Sequence, residues 1–289
     1  MAIGMDKINT LSGRTVEYAL GHSERELDRL SFQGKLLAPF TRQLFSQAGL
    51  GPGMHVLDVG CGSGDVSFVA ADLVGERGHT IGVDRSAEAL HRAKARALRR
   101  NCSNLTFVEG DPALMQFDQQ FDAIVGRFVL MYQADPVESL RQLARHLRPG
   151  GLMVFQELDT TACRSFPRAP SYDRAASWLT DALRGTGAWP KLGLQLHSVF
   201  TDSGLPAPLM RMDAIVSGDA EGPACVLLAE AVRSLLPTLE KLNIVLPEEV
   251  DVDNLTNRIR EEVAARRSAV VSYGLIGAWS RKAPVRLAS

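Results

Sequence analysis

The fold is decided by the stretch VLDVGCGSGD at residues 56–65. Its opening residues form an apolar run, interrupted by Asp58, that is typical of a short buried strand. Three glycines follow at alternate positions, where the backbone can turn sharply and approach a ligand with no Cβ in the way. A helix is expected directly afterwards, and the unpaired N–H groups at a helix N-terminus attract anionic groups. The stretch therefore predicts a strand, a ligand-binding turn and a helix.

An alternation of short apolar strands and helices extends outward from this turn. Helices are expected to run through Val74, over Ser86–Arg100 and over Pro136–Leu147. Strands are expected at His55–Val59, Thr80–Val83, Leu105–Val108, Phe121–Val125 and Leu152–Leu158. Strands that alternate with helices predict a parallel sheet covered on both faces. The fold class is therefore α/β, and ligands of such sheets bind at the carboxyl edge of the strands.

The flanking segments predict further helices and two more strands. Residues 23–48 are amphipathic and helical, 209–216 predict a sixth strand, and 269–282 predict the last strand. Residues 222–268 are strongly helical, with breaks expected near Pro237 and Pro247. The predicted domains are N-terminal helices at 1–48 that pack over the ligand site, a sheet domain at 49–220 and 269–289, and an inserted helical cap at 221–268. We expect the cap to cover a substrate.

Composition and charge limit the function. The 289 residues carry a net charge of −1, so no basic field attracts nucleic acid or an anionic membrane surface. No run reaches the roughly 18 apolar residues that cross a bilayer, and MAIGMDKINT lacks a signal-peptide core. The four cysteines are far apart, which disfavours a zinc site or a disulfide framework. A cytoplasmic protein without a metal is expected.

A second motif, Gly82-Val83-Asp84-Arg85, ends the next predicted strand. Asp84 lies 20 residues past Gly64, where an acid can accept both ribose hydroxyls of an adenosine. The alternative is that Asp84 only caps the helix that begins near Ser86. The glycine turn favours the ribose role. The dinucleotide fingerprint G-x-G-x-x-G is not matched, because Asp65 stands where it needs its third glycine.

From about His55 to Asp159 the chain resembles the class I S-adenosylmethionine-dependent methyltransferases, in particular the small-molecule enzymes of the ubiquinone/menaquinone-biosynthesis type. Five segments carry the resemblance, in order: VLDVGCGSGD, GVDRS at 82–86, FVEGD at 107–111, FDAIVGRFVLMY at 121–132 and LRPGG at 147–151. The resemblance implies a doubly wound, mostly parallel seven-stranded Rossmann-like sheet. It also implies S-adenosyl-L-methionine as the cofactor.

The resemblance assigns cofactor roles to matching positions. Gly60 and Gly62 face the methionine half, Asp58 orients that turn or the ammonium, and Asp84 holds the ribose. Arg127 offers a backbone carbonyl near the ammonium, or its side chain pairs with a carboxylate. Pro112 has no N–H for adenine, so Ala113 supplies that donor or the bond is absent. The full predicted cofactor set is Tyr18, Gln33, Asp58, Gly60, Cys61, Gly62, Asp84, Arg85, Gly110, Asp111, Pro112, Ala113 and Arg127.

The methyl group of a sulfonium is already activated, so the enzyme has to align the reactants and exclude water. An acidic acceptor also needs a base. The predicted catalytic residues are Glu157, His197 and Tyr132, and Asp159 and His22 are further candidates. The alternative to a catalytic role for Glu157 and Asp159 is that they are solvated loop carboxylates. For His197 the alternative is a partly buried structural histidine.

The predicted function is methyl transfer to a small-molecule acceptor. Residues 227–246 are rich in leucine, which predicts a core, a homodimer interface or a pocket for a hydrophobic acceptor. The basic run at 91–100 lacks interleaved aromatic residues and is interpreted as a solvated helix face rather than a nucleic-acid site. Two alternatives stay open: a non-methylating protein that binds the cofactor on this fold, and an NAD-dependent oxidoreductase.

Overall fold

The main sheet of the computed structural model has seven strands. The structure describes residues 24–112, 114–117, 119–219 and 221–284. The strands in this part of the chain are β1 His55–Val59, β2 His79–Asp84, β3 Leu105–Glu109, β4 Phe121–Arg127, β5 Leu147–Asp159, β6 Arg164–Phe166, β7 Leu209–Asp213, β8 Val216–Ser217, β9 Ala269–Val271 and β10 Gly274–Arg281. The main sheet has the order β3-β2-β1-β4-β5-β10-β7.

All neighbouring strands from β3 to β5 pair in parallel, and β10 runs antiparallel between β5 and β7. The prediction of a mostly parallel, doubly wound seven-stranded sheet is therefore confirmed. The strand order reverses between β1 and β4, and open α/β sheets bind ligands at the carboxyl edge beside such a reversal. The glycine turn that follows β1 lies at this edge.

Helices cover both faces of the sheet. They are α1 Glu24–Ala48, α2 Asp65–Val74, α3 Ala87–Arg99, α4 Pro136–Leu143, α5 Pro170–Gly185, α6 Leu192–Asp202, α7 Pro223–Lys241, α8 Pro247–Val250 and α9 Leu255–Arg266. Val56 belongs to the core beneath α1 and α2, whereas the next residue, Leu57, belongs to the core on the opposite face. Both are fully buried, which explains why the strand is a continuous apolar run. None of the helices in the described part of the chain is long and apolar enough to cross a bilayer.

A helical layer of α5, α7 and α9 packs beside the sheet. The leucines of α7 that predicted a core, an interface or a pocket are mostly buried within this chain. They are Leu227, Leu228, Leu235 and Leu239, each no more than 2% exposed. Helix α5 lies outside the predicted cap of 221–268 but packs directly on α7. The cap boundaries and its cover over a substrate remain predictions.

The predicted break near Pro237 is wrong. Helix α7 runs through Pro237 to Lys241, although an interior proline removes one helical hydrogen bond. Tertiary packing outweighs this local cost, because α7 buries residues along its whole length against α5 and α9. The break before Pro247 is present, and α8 begins at that proline, where no helical N–H is required.

Three more segment boundaries differ from the prediction. The predicted strand 209–216 is divided into β7 and β8, and the predicted strand 269–282 into β9 and β10. In each case the first and second parts belong to different sheets, since β6, β9 and β8 form a separate three-stranded antiparallel sheet. The helix expected to reach Leu147 ends at Leu143 and continues as a 3₁₀ turn.

Close packing at Gly126 fixes the spacing of the central strands. A Cβ added to Gly126 would lie 2.6 Å from Phe155 Cε1 and 3.1 Å from Val59 Cγ2. Phe155 is fully buried, and a flat ring in a packed core cannot move aside easily. Glycine at this position therefore allows β1, β4 and β5 to pack at their observed distance.

We predict that Gly126→Ala lowers the free energy of unfolding by about 1–3 kcal/mol, because the added methyl overpacks the core. Urea denaturation measures the loss. Gly51→Ala is the matched control, since no atom lies within 4 Å of its added Cβ, and it should change the free energy by less than about 0.5 kcal/mol. Equal effects of the two variants would contradict the packing argument.

Candidate active site

The glycine turn after β1 has three left-handed glycines with different surroundings. Gly60, Gly62 and Gly64 have φ angles of +64°, +52° and +87°. An added Cβ would lie 2.7 Å from Val129 Cγ2 at Gly60 and 2.8 Å from Phe107 Cζ at Gly64. At Gly62 no atom lies within 4 Å. Two glycines therefore permit close packing, and Gly62 presents the open backbone that a ligand needs.

Asp58, just before the turn, is a buried carboxylate with one unpartnered oxygen. The side chain is 1% exposed, and Ser67 Oγ donates a hydrogen bond to Oδ2 at 2.5 Å. Oδ1 has no partner among the described residues. Burial raises the pKa of Asp58 to about 7, although Ser67 and the Arg127 guanidinium favour the ionised form. An unsatisfied buried oxygen is costly, which indicates a ligand-binding role at this position.

Asp84, at the end of β2, connects the glycine turn to α3. Its Oδ2 accepts from Gly62 N at 2.7 Å, and its Oδ1 accepts from Ser86 N at 2.9 Å. The cap of α3 is Ser86, whose Oγ accepts from Ala89 N at 3.2 Å. Asp84 is thus not itself the helix cap, which was the alternative interpretation. Its ribose-binding role remains a prediction, and its position beside Gly62 suits that role.

The residues predicted around adenine lie next to Asp84. Gly110 N donates to the backbone oxygen of Asp84 at 2.9 Å, which brings the end of β3 beside the end of β2. Arg85 and Asp111 form an ion pair across these two loops. Asp111 is therefore engaged by Arg85 in this structure. Pro112 follows directly, and Ala113 lies outside the described residues.

Arg127, at the end of β4, directs its side chain toward α1. Its Nη1 donates to Thr41 Oγ1 at 3.0 Å, and Thr41 in turn donates to Gln156 Oε1 at 2.8 Å. Burial lowers the pKa of the Arg127 guanidinium, while the nearby carboxylates of Asp65 and Asp58 favour its charged form. Asp58 and Arg127 therefore bring opposite charges together beneath the glycine turn.

Helix α1 contributes Gln33, a predicted cofactor residue, and Gln33 contacts Tyr273. Gln33 Nε2 donates to the Tyr273 hydroxyl at 2.6 Å. Tyr273 is 2% exposed, and burial raises its pKa to about 12. Its ring contacts Phe128 edge to face, with centroids 6.3 Å apart. The sequence analysis missed Tyr273 and Phe128, since neither belongs to a glycine or acidic motif. The predicted Tyr18 and His22 lie outside the described residues.

Glu157 and Asp159 are not solvated loop carboxylates, so that alternative is wrong for both. Glu157 is 0% exposed, and its carboxylate accepts from the N–H groups of Val129, Leu130 and Met131. Burial raises the pKa of Glu157 to about 7. Asp159 is also buried and accepts from Thr161 N and Thr161 Oγ1. Each carboxylate stabilises a turn by accepting these hydrogen bonds. A role for either one as the catalytic base stays a prediction.

The two remaining catalytic candidates lie in different surroundings. His197 is exposed on α6, whereas the preceding residue, Leu196, faces the core. The alternative of a partly buried structural histidine is therefore wrong. Tyr132 is half-buried in the turn that Glu157 holds and packs against the main core. Tyr132 N donates to the backbone oxygen of Val129 at 3.2 Å, while His197 faces solvent.

Comparison with known proteins identifies this fold and domain. The strand order, the left-handed glycines and the acids at the ends of β1 and β2 define a class I methyltransferase fold. The YcgJ protein of Bacillus subtilis is similar in structure, with a TM-score of 0.53 and 17% identity over 84% of this chain and 98% of that chain. The family model for the methyltransferase domain matches residues 50–186. Residues 50–186 of the chain therefore carry a methyltransferase domain.

Two relatives indicate the range of similar sequences. An uncharacterized 37.1 kDa protein in a transposon of Streptomyces fradiae is 30% identical over 222 residues, which are 75% of this chain and 62% of that protein. A demethylmenaquinone methyltransferase of Lactococcus lactis is 32% identical over 124 residues, which are 43% of this chain and 47% of that enzyme. The chain thus spans about half the length of the curated relatives it matches.

The raised pKa of Asp58 predicts a pH dependence of stability. Its pKa is about 7 in the folded protein against an ordinary value of 3.8, so between these values the folded state retains a proton that the unfolded state has lost. The free energy of unfolding therefore falls as the pH rises through this window, by on the order of 1 kcal/mol per unit of pKa difference. Asp58→Asn keeps an acceptor for Ser67 and removes the titration.

Urea denaturation at about pH 5 and about pH 8 compares the two proteins without cofactor. The stability of Asp58→Asn relative to the original chain should rise between these two pH values. A difference that stays constant, or falls with pH, would show that the buried carboxylate does not carry this cost.

Proposed function

We propose that this protein transfers the methyl group of S-adenosylmethionine to a small-molecule acceptor. The observation that carries the proposal is the unpartnered, buried Asp58 Oδ1 beneath the glycine turn, with the Arg127 guanidinium in the same region. A carboxylate and a guanidinium in one buried place suit an ammonium and a carboxylate on one ligand. The methionine half of the cofactor is such a zwitterion.

The remaining cofactor contacts follow the carboxyl edge of the sheet. We infer that the backbone of Gly60, Cys61 and Gly62 accommodates the methionine half, with Gly62 as the open position, and that Asp84 accepts from the ribose hydroxyls. Arg85, Gly110, Asp111, Pro112 and Ala113 form the adenine end. The Arg85–Asp111 ion pair supports this placement, because it lies at the surface directly beyond Asp84 and can rearrange around a base.

Asp65 argues against a dinucleotide cofactor. It begins α2, where a pyrophosphate needs free N–H groups and positive potential. The Asp65 carboxylate already places a negative charge there and pairs with Arg96 at 2.7 Å. A Cβ on Gly34 of α1 would lie 2.5 Å from this carboxylate, so α1 closes over the same position. The geometry favours a cofactor without phosphates over NAD.

When bound, the cofactor supplies a methyl group on a sulfonium that needs no metal for activation. The protein's own residues then have to orient the acceptor and exclude water. Phe128 and Tyr273 place two aromatic rings at this edge, and Gln33 fixes the Tyr273 hydroxyl. We infer a hydrophobic, preferably aromatic acceptor. The similarity to an enzyme named as a demethylmenaquinone methyltransferase supports this class.

The ubiquinone/menaquinone-biosynthesis type, the homodimer and the cytoplasmic location also remain proposals. Burial of most leucines of α7 within one chain leaves fewer of them for an interface. Tyr132 is the preferred candidate for a base because it lies in the turn next to Val129, which packs on Gly60. His197 is a less favoured base, because its side chain faces solvent and would have to reach the acceptor from there.

We predict binding of S-adenosylmethionine and S-adenosylhomocysteine with a Kd of about 1–100 μM. Asp84→Asn should weaken both by about 10- to 100-fold, since the charge-assisted hydrogen bonds to the ribose are worth about 1.5–3 kcal/mol. Asparagine keeps one acceptor for the Gly62 amide, whereas the Ser86 amide loses its acceptor, so circular dichroism should first show that the variant is folded. Isothermal titration calorimetry measures the affinities.

Asp181→Asn is the matched control, because Asp181 pairs with Arg184 on the surface of α5, and its affinity should equal that of the original chain. NAD, titrated in parallel, should give no heat of binding. Binding of NAD but of neither S-adenosyl compound, in folded protein, would refute the proposed cofactor site.

We further predict that apolar phenols and reduced quinones are methylated, whereas small charged amines are not. The reason is the aromatic lining, which contributes apolar burial but no matched counter-charge for a desolvated amine. Release of S-adenosylhomocysteine across such a panel measures turnover, and a sample without acceptor is the control. Tight cofactor binding without turnover of any acceptor would favour the non-methylating alternative. Turnover of amines alone would overturn the acceptor class.

A further inference from the structure

The turn after β4 contains a backbone conformation that is unusual for its residue. Phe128 has a φ angle of +58°, although a bulky side chain disfavours the left-handed region. Phe128 N still donates to Gln156 O at 3.0 Å, so the strand pairing continues up to this residue. Such a conformation persists only where surrounding contacts enforce it, and it is often found at functional sites.

Glu157 supplies the contacts that enforce this turn. Its Oε1 accepts from Val129 N at 3.0 Å and from Leu130 N at 2.9 Å, and its Oε2 accepts from Met131 N at 3.3 Å. Three consecutive N–H groups therefore converge on one carboxylate that is fully buried. Hydrogen bonds to a charged acceptor in a water-free interior are strong, and they fix the orientation of all three peptide groups.

The turn held in this way forms a wall against the glycine turn. Val129 fills the space beside Gly60, where an added Cβ would meet Val129 Cγ2 at 2.7 Å. Phe128 directs its ring to Tyr273 with centroids 6.3 Å apart. A change in the turn would therefore move both the packing on Gly60 and an aromatic ring at the acceptor side.

We propose that Glu157 is a positioning residue of the cofactor site rather than its catalytic base. Its carboxylate fixes residues 129–131 by accepting their N–H groups. These hydrogen bonds stabilise the left-handed conformation of Phe128 and the packing of Val129 on Gly60. The inference rests on the proposed cofactor role of the glycine turn. It assigns to Glu157 an effect on cofactor affinity that passes through Val129 without any contact between Glu157 and the ligand.

Glu157→Gln tests the proposal with little change in shape. The glutamine oxygen can still accept from Val129 and Leu130, but its amide group offers hydrogens to the N–H of Met131. Hydrogen exchange followed by mass spectrometry should show at least about tenfold faster exchange at residues 129–131, and faster exchange at 60–62. The Kd for S-adenosylhomocysteine should rise about tenfold.

Ser217→Ala is the matched control. Ser217 is also buried, and its Oγ accepts from Ala224 N at 3.2 Å, far along the chain from the glycine turn. This variant should lose stability without a change in cofactor affinity or in exchange at 60–62.

Trp189 gives an independent signal. Its backbone N–H donates to Met131 O and its indole N–H donates to Gln133 O, so its fluorescence should shift in Glu157→Gln and not in Ser217→Ala.

A double variant covers the case in which Glu157→Gln does not fold. Phe128→Gly removes the conformational cost of the left-handed residue. Phe128→Gly/Glu157→Gln should therefore fold, and it should show faster exchange at 129–131 and 60–62 than Phe128→Gly alone, whereas equal exchange in the two variants would overturn the positioning role.

The outcomes separate this inference from the proposed function. If the original chain binds no S-adenosylhomocysteine, the proposed function fails, and the exchange data alone decide whether Glu157 holds Gly60 through the turn. If the original chain binds, and Glu157→Gln binds equally with unchanged exchange at 129–131 and 60–62, the positioning role is overturned. Loss of turnover at unchanged affinity and exchange also overturns it, in favour of a catalytic base.

Discussion

The parallel pairing of β1 with β2 on one side and with β4 on the other is the constraint on which the site depends. Asp58 lies opposite Gly82 and Val125 in this pairing, so the ends of all three strands reach the same edge of the sheet. The chain reverses its direction of winding between β1 and β4, which leaves the space at this edge free of a crossover. The glycine turn, Asp84 and Arg127 meet there because the register allows no other placement.

The buried charges at this edge are the second feature that shapes the site. Asp58 keeps an oxygen without a partner, Arg127 donates one hydrogen bond to the hydroxyl of Thr41, and Glu157 accepts from three backbone N–H groups. Ionised groups in such surroundings destabilise the protein unless a counter-charge or hydrogen bonds offset their desolvation. For Glu157, hydrogen bonds within the chain offset this desolvation. For Asp58, one oxygen has no hydrogen-bond partner among the described residues. This difference distinguishes a group that supports the fold from one that suits a ligand.

Helix α1 and the segment between β9 and β10 bring residues from outside the methyltransferase domain to this edge of the sheet. Gln33 of α1 and Tyr273, between β9 and β10, meet through one hydrogen bond, although 240 residues separate them in the sequence. The same edge therefore combines groups from residues 50–186, which match the domain family, with groups on both sides of that range. This edge is therefore built from the methyltransferase domain together with segments that lie outside the matched range.

The sequence by itself determined the strands β1 to β5, the glycine turn, the acid after β2 and the domain class, because these depend on local patterns of apolar residues, glycines and acids at fixed spacing. Only the tertiary structure decided that Pro237 lies within a helix, that residues 209–217 and 269–281 each divide between two sheets, and that Tyr273 contacts both Gln33 and Phe128. The same holds for Glu157, for which the sequence left a catalytic base and a solvated loop carboxylate open, and which is a buried acceptor of three amides. The physical reason is that burial, strand pairing and hydrogen-bond partners far along the chain carry the larger free energies, and local composition does not encode them.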